Sequence, residues 1–233
     1  MTDLNHKNND TAIWVNSTKN FRRLVGINGM LLPVLLWAFL YYTSGHAEVL
    51  ESISHYYYTR ANTIFIGVMS VLSMFLIVYN AEKRIDFIIS FIAGIAAILV
   101  ILYPTDNLVL TPCLLEGSHV ISYTEPHVFR ENFHLISAAI FFLALAYMSF
   151  FLFTKTDKLE GQLGRKKIIR NRIYRVCAVL MVLSMLVILL FGKYDLMPNL
   201  PYDEWKLTFW MEVLAVESFG FSWLVKGEAI FSD

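Results

Sequence analysis

Residues 51–60 read Glu51-Ser52-Ile53-Ser54-His55-Tyr56-Tyr57-Tyr58-Thr59-Arg60 and lie between two long apolar runs. This stretch carries a carboxylate, hydroxyls, an imidazole, phenols and a guanidinium. A tether between two membrane helices needs none of that chemistry. Two other places in the chain supply groups that could work with it. His134 and Ser137 stand in the first turns of an apolar segment, three residues apart and so on one helix face. Glu212 and Glu217 interrupt another apolar segment.

A carboxylate at the centre of a membrane helix costs about 2.5–3.5 kcal/mol on insertion scales, so intramembrane acids face the bundle and are paired or protonated. Glu212 lies on the order of 10 Å below the start of its helix at 1.5 Å per residue. That depth lets it meet His134 and the 51–60 stretch. Glu217, roughly 140° further round the helix, is expected to be protonated and hydrogen-bonded to another helix.

The candidate ligand-binding set is therefore Glu51, Ser52, Ser54, His55, Tyr57, Arg60, Asp106, His134, Ser137 and Glu212. Three chemistries fit these residue types. One is a zinc site on His55, His134 and Glu212, with a bound water as nucleophile. Another is a polar pocket for a lipid headgroup, with Arg60, the tyrosines and the serines as donors. The third is a structural network that ties the outer loops together. No HxxxH or HExxH spacing is present, so the expectation is no cofactor. A bis-histidine haem is disfavoured because only His134 falls inside an apolar span.

The elements that must position these groups follow from composition. The chain has 233 residues, 57% hydrophobic and only 16% charged, with a mean hydropathy of +0.54. Soluble domains run at roughly 45–50% apolar and about 25% charged, so this is a membrane protein. Its zero formal net charge argues against a nucleic-acid partner. Membrane lipids are the expected partners.

A spanning helix needs about 20 mostly apolar residues. Six stretches qualify: 24–43, 63–81, 85–103, 132–153, 173–192 and 206–225. The expected fold is all-α, a polytopic six-helix bundle over 21–233, behind a polar and disordered tail at 1–20. That tail lacks a signal peptide's apolar core and cleavage site, so the first apolar segment should stay as an anchor. With the N-terminus inside, fifteen of the nineteen Lys and Arg fall on the inner side and only Arg60, Arg130, Lys193 and Lys206 outside. This positive-inside bias places both termini in the cytoplasm of a multi-pass cell-membrane protein. Five of the six histidines fall at the outer side, where the chemistry is expected. Cys113 and Cys177 are assigned to opposite faces and cannot pair.

Within the spans, Ala93-Gly94-Ile95-Ala96-Ala97 predicts close helix packing. Tyr103-Pro104 ends the third helix. The long connection from Pro104 to Glu131 could fold over the outer mouth.

The order of these features resembles the Frag/DRAM/Sfk-like six-helix membrane proteins and related bacterial membrane proteins. The resemblance rests on Ser52-Ile53-Ser54-His55-Tyr56-Tyr57, Ile64-Phe65-Ile66-Gly67 and Ala93-Gly94 with Tyr103-Pro104-Thr105-Asp106. It continues through His134 with Ser137-Ala138-Ala139, Arg172-Ile173-Tyr174, and Glu212 before Phe219-Gly220-Phe221-Ser222. It implies a lipid-related role. The chain departs from the family in carrying His55-Tyr56 where an acidic residue follows the Ile-Ser pair. The alkaline-ceramidase-like hydrolases are similar in using Ser, Asp and His at the membrane face, but they have seven helices and an HxxxH in the last span. The functions in view are thus lipid or amphipath binding in an outer-leaflet cavity, a zinc-dependent hydrolase of a lipid amide or ester, and a non-catalytic membrane scaffold.

Overall fold

The computed structural model describes residues 2–79, 84–107, 119–156, 164–198 and 200–230, with side chains described from residue 18 onward. Among the described residues, six long helices make up the bundle. They are α1 (Thr2–Ser44), α2 (Asn62–Ile77), α3 (Arg84–Leu102), α4 (Val128–Tyr147), α5 (Arg165–Val187) and α6 (Leu207–Lys226). A π-helical turn extends α4 over Met148–Leu152, and another extends α5 over Ile188–Lys193. Each of the six stretches expected from hydropathy overlaps one of these helices.

Among the described residues, four helical stretches are long and apolar enough to cross a membrane: Thr18–Ser44, Arg84–Leu102, Val128–Leu152 and Arg165–Lys193. α2 is apolar but shorter, and α6 carries Glu212 and Glu217. The polar stretch before Phe21 continues α1 back to Thr2.

Each helix packs on its neighbours in sequence, and α6 closes the ring against α1. Small residues set the closest approaches. A Cβ on Gly94 would lie 2.6 Å from Ile77 Cγ1 and 2.9 Å from the Ser73 carbonyl. The Ser73 hydroxyl in turn donates to the Gly94 carbonyl at 2.8 Å, so α2 and α3 are both packed and bonded at that level. The expected tight seam at 93–97 is thus made with α2. On the other side of the ring, α1 and α6 meet at Gly26 and Gly220, where a Cβ on either would come within 2.7 Å of the other's carbonyl.

The two ends of the ring differ. At the basal end the first turns of apolar α1 meet the end of α6. Lys19 pairs with Glu228 at 2.6 Å and Arg23 donates to the Gly227 carbonyl at 2.8 Å. Lys155 pairs with Asp86 at 2.6 Å. The interior above is filled with rings. Trp223 has its centroid 5.4 Å from Phe153, 5.6 Å from Tyr79, 5.7 Å from Phe75 and 5.8 Å from Phe219. The opposite, rim end holds the polar groups and a cavity.

One expectation is corrected. Glu217 does not bond to another helix; it has no hydrogen-bond partner among the described residues and lines an apolar groove of about 510 Å³ with Met30, Arg172 and Cys177. The groove lies between α1, α5 and α6, so the carboxylate faces the outside of the ring. Cys177 is a buried free thiol, whereas Cys113 lies outside the described residues.

Overpacking a close helix contact costs typically about 1–3 kcal/mol. Gly220→Val should lower thermal stability in detergent by that order. Gly67→Ala, where the new Cβ meets nothing within 4 Å, should be neutral or stabilising by up to about 1 kcal/mol. Melting of the two purified variants against the parent checks both.

Candidate functional site

The 51–60 stretch folds as a short 3₁₀ helix, Ile53–Tyr58, here termed the rim helix. A helix this short leaves most of its first N–H groups without internal partners. Here they are met one by one. Ser52 is the N-cap in extended conformation, and its Oγ accepts from the Ser54 N–H at 3.0 Å. The His55 N–H reaches the Ser52 carbonyl at 3.2 Å. The Ile53 N–H donates to Glu212 Oε2 at 2.5 Å, and the Ser52 hydroxyl donates to the same carboxylate at 2.8 and 2.9 Å. Glu212 on α6 thus caps a helix 160 residues away in the chain. A carboxylate paired with helix N–H groups gains from both charge-assisted bonding and the end dipoles.

His134 is the second fixed point. It is 3% exposed. Its Nδ1 lies 2.9 Å from the Tyr103 carbonyl and its Nε2 lies 3.1 Å from Ser54 Oγ. A carbonyl only accepts, so Nδ1 carries the hydrogen. In the neutral ring Nε2 then offers a lone pair to the Ser54 hydroxyl. The Tyr103 carbonyl is available because α3 stops at Leu102 ahead of Pro104, which cannot supply an N–H to continue the helix.

The far end of the rim helix is clamped by the long connection, as its length suggested. Thr59 forms an antiparallel bridge with Val120, and the Ile121 N–H donates to the Tyr58 carbonyl at 2.8 Å. The Tyr58 hydroxyl donates to the Thr105 carbonyl at 2.5 Å. Residues 108–118 of that connection lie outside the described residues.

Below the rim helix is a cavity of about 50 Å³. Ser54 and Glu212 are its polar lining, and Leu32, Ile53, Met69, Phe142 and Phe219 are among its apolar walls.

The structure therefore joins Ser52, Ser54, His134 and Glu212 into one chain of contacts. His134 and Glu212, expected to meet each other, are linked through Ser54 and Ser52 instead. The remaining candidates sit elsewhere. Glu51 stands beside His55, with Oε2 3.8 Å from Nδ1. Asp106 pairs with Arg130 at 2.9 Å, and Arg130 also donates to the carbonyls of Pro104 and Glu125, bracing the loop. Ser137 donates back to the Phe133 carbonyl of its own helix at 2.7 Å. Tyr57 packs edge-on against Tyr58 and Phe65. Arg60 is exposed.

His55, His134 and Glu212 do not make a ligand set. Both His134 nitrogens and both Glu212 oxygens are engaged within the protein, and no group of three or more His, Cys, Asp or Glu among the described residues is arranged to hold a metal. Two participants gave no signal by residue type, because the Tyr103 carbonyl and the Ile53 N–H are backbone groups.

Comparison with known proteins finds no matching family model, no matching curated protein and no matching solved structure.

Burial lowers the His55 pKa from 6.5 to about 4, with Glu51 opposing the shift and His134 adding to it. The unfolded chain takes up the proton near pH 6.5, whereas the folded chain resists until about pH 4. Stability from this group is full above pH 6.5, falls between 6.5 and 4, and is lost below. The whole effect is at most about 3 kcal/mol, at 1.36 kcal/mol per unit. The stability difference between wild type and His55→Asn should therefore shrink in that acid window. Melting curves from pH 7 to pH 4 measure it; a constant difference would contradict the assignment.

Proposed function

We propose that this membrane protein spans the cell membrane six times, with both termini cytoplasmic, and that its rim-end cavity takes the apolar chain of a membrane lipid or similar amphipath. The observation that carries this reading is a carboxylate and a hydroxyl, Glu212 and Ser54, set at one side of an otherwise apolar cavity inside the helix ring. Pockets for amphipathic ligands have this character, apolar walls with a few placed polar groups. The asymmetry of Lys and Arg and the meeting of residues 19–23 with residues 227–228 at the basal end support the orientation.

The cavity as it stands, about 50 Å³, admits only a short length of chain. Met69 in its wall is an unbranched side chain that repacks at low cost, so entry of a longer chain proceeds by displacing it. The polar end of the ligand then lies beside Ser54 and Glu212.

Native mass spectrometry of the protein released from mild detergent tests the reading. Wild type should retain a lipid. Ala138→Trp, which fills the cavity from its α4 wall, should retain at least about tenfold less, a loss of roughly 1.4 kcal/mol of binding. Absence of lipid from wild type, or equal retention by the filled variant, would favour a scaffold with a structural network instead.

A further inference from the structure

The Ser54 hydroxyl has a second property that ligand binding does not require. Its hydrogen points at an unprotonated imidazole nitrogen, His134 Nε2 at 3.1 Å, and the other ring nitrogen is held by the Tyr103 carbonyl at 2.9 Å. Nucleophile, base and orienting acceptor stand in line, which is the arrangement that activates a serine. Ser54 is also part of the cavity wall. Ser54 thus borders both its base and the space where a chain would lie. Its backbone is fixed too, because its N–H is bound by Ser52 Oγ and Ser52 is bound by Glu212. A serine serving only to satisfy a buried histidine needs neither the cavity nor this pinned backbone.

We infer that Ser54 is the nucleophile of a metal-free acyl transfer, with His134 as general base and an ester-linked lipid as acyl donor. This rests on the lipid reading above. In the first half-reaction Ser54 Oγ bonds to the ester carbonyl carbon and its proton passes to His134 Nε2, while the carbonyl π pair moves onto oxygen. Collapse of the tetrahedral species breaks the bond to the ester's alcohol oxygen, which takes the proton from Nε2 and leaves as a free alcohol. The acyl group stays on Ser54. In the second half-reaction water, or the hydroxyl of another lipid, attacks the acyl carbon and passes its proton to Nε2. Ser54 leaves, recovers that proton, and a carboxylic acid or a new ester departs.

The Tyr103 carbonyl keeps the ring in the required tautomer and faces the imidazolium that forms. Glu212 touches neither reacting atom; it is a positioning residue acting through Ser52.

The test uses the full-length protein in mild detergent with a long-chain alkyl fluorophosphonate. Its phosphorus takes Ser54 Oγ, fluoride leaves and the proton goes to His134. Intact-mass analysis and peptide mapping should find one adduct, on Ser54, and none in Ser54→Ala. His134→Gln, whose amide can still reach the Tyr103 carbonyl, should label at least about 100-fold more slowly, the usual contribution of a general base. Co-purified lipid is read on the same samples.

An unlabelled wild type that retains lipid would overturn the acyl-transfer inference and leave the cavity reading standing. A wild type with neither adduct nor lipid would remove both. An adduct only on another residue, or a His134→Gln rate equal to wild type, would also overturn the inference.

Discussion

One carboxylate holds the rim of this protein together. A six-residue 3₁₀ helix cannot form by its own hydrogen bonds, because nucleating a turn fixes several residues for a single bond. The rim helix persists because Glu212 takes two of the donors at its start, the Ser52 hydroxyl and the Ile53 N–H. The arrangement is reciprocal. Glu212, carried on the largely apolar α6, needs partners for its oxygens, and Ser52 and Ile53 need an acceptor away from water. Leaving a buried donor unmet costs about 1–3 kcal/mol, so losing either side strands the other.

From that anchor the rest of the rim follows. Ser52 receives the Ser54 N–H, which places the Ser54 side chain against His134, which in turn closes on the end of α3 at Tyr103. The Thr59–Val120 bridge and the Tyr58–Thr105 bond hold the other end of the rim helix under the long connection. α4, α6 and the long connection therefore converge on a helix of six residues. The basal half of the ring is built differently, from aromatic rings around Trp223 and ion pairs at the helix ends. Rigid aromatic packing at one end leaves the other free to carry polar groups and unfilled space.

Much of the fold was legible because hydropathy over about 20 residues is a strong signal. All six helices fall where it placed them. It reads the apolar part of a helix rather than the helix itself, so α1 extends back to Thr2 and α5 begins at Arg165 among basic residues that form helix readily. The site was legible only in part. His134, Glu212, Ser52 and Ser54 stood out as polar groups in or beside apolar runs, and these four are the ones that meet. Tyr57, Arg60, Asp106 and Ser137 have suitable chemistry but point to local partners or to solvent, and residue type alone does not encode direction. The direct His134–Glu212 contact failed because the rim helix occupies the space between them. Tyr103 and Ile53 act through backbone atoms, which every residue has.

Glu212 and Ser52 form one energetic unit that builds the rim. A double-mutant cycle on thermal stability, with Ser52→Ala, Glu212→Gln and the pair, measures it most directly. Residues sharing a hydrogen-bond network couple by about 0.5–3 kcal/mol, and Glu212 and Ser52 should couple by at least about 1 kcal/mol, the double variant being little worse than the worse single one. Effects that simply add would contradict it.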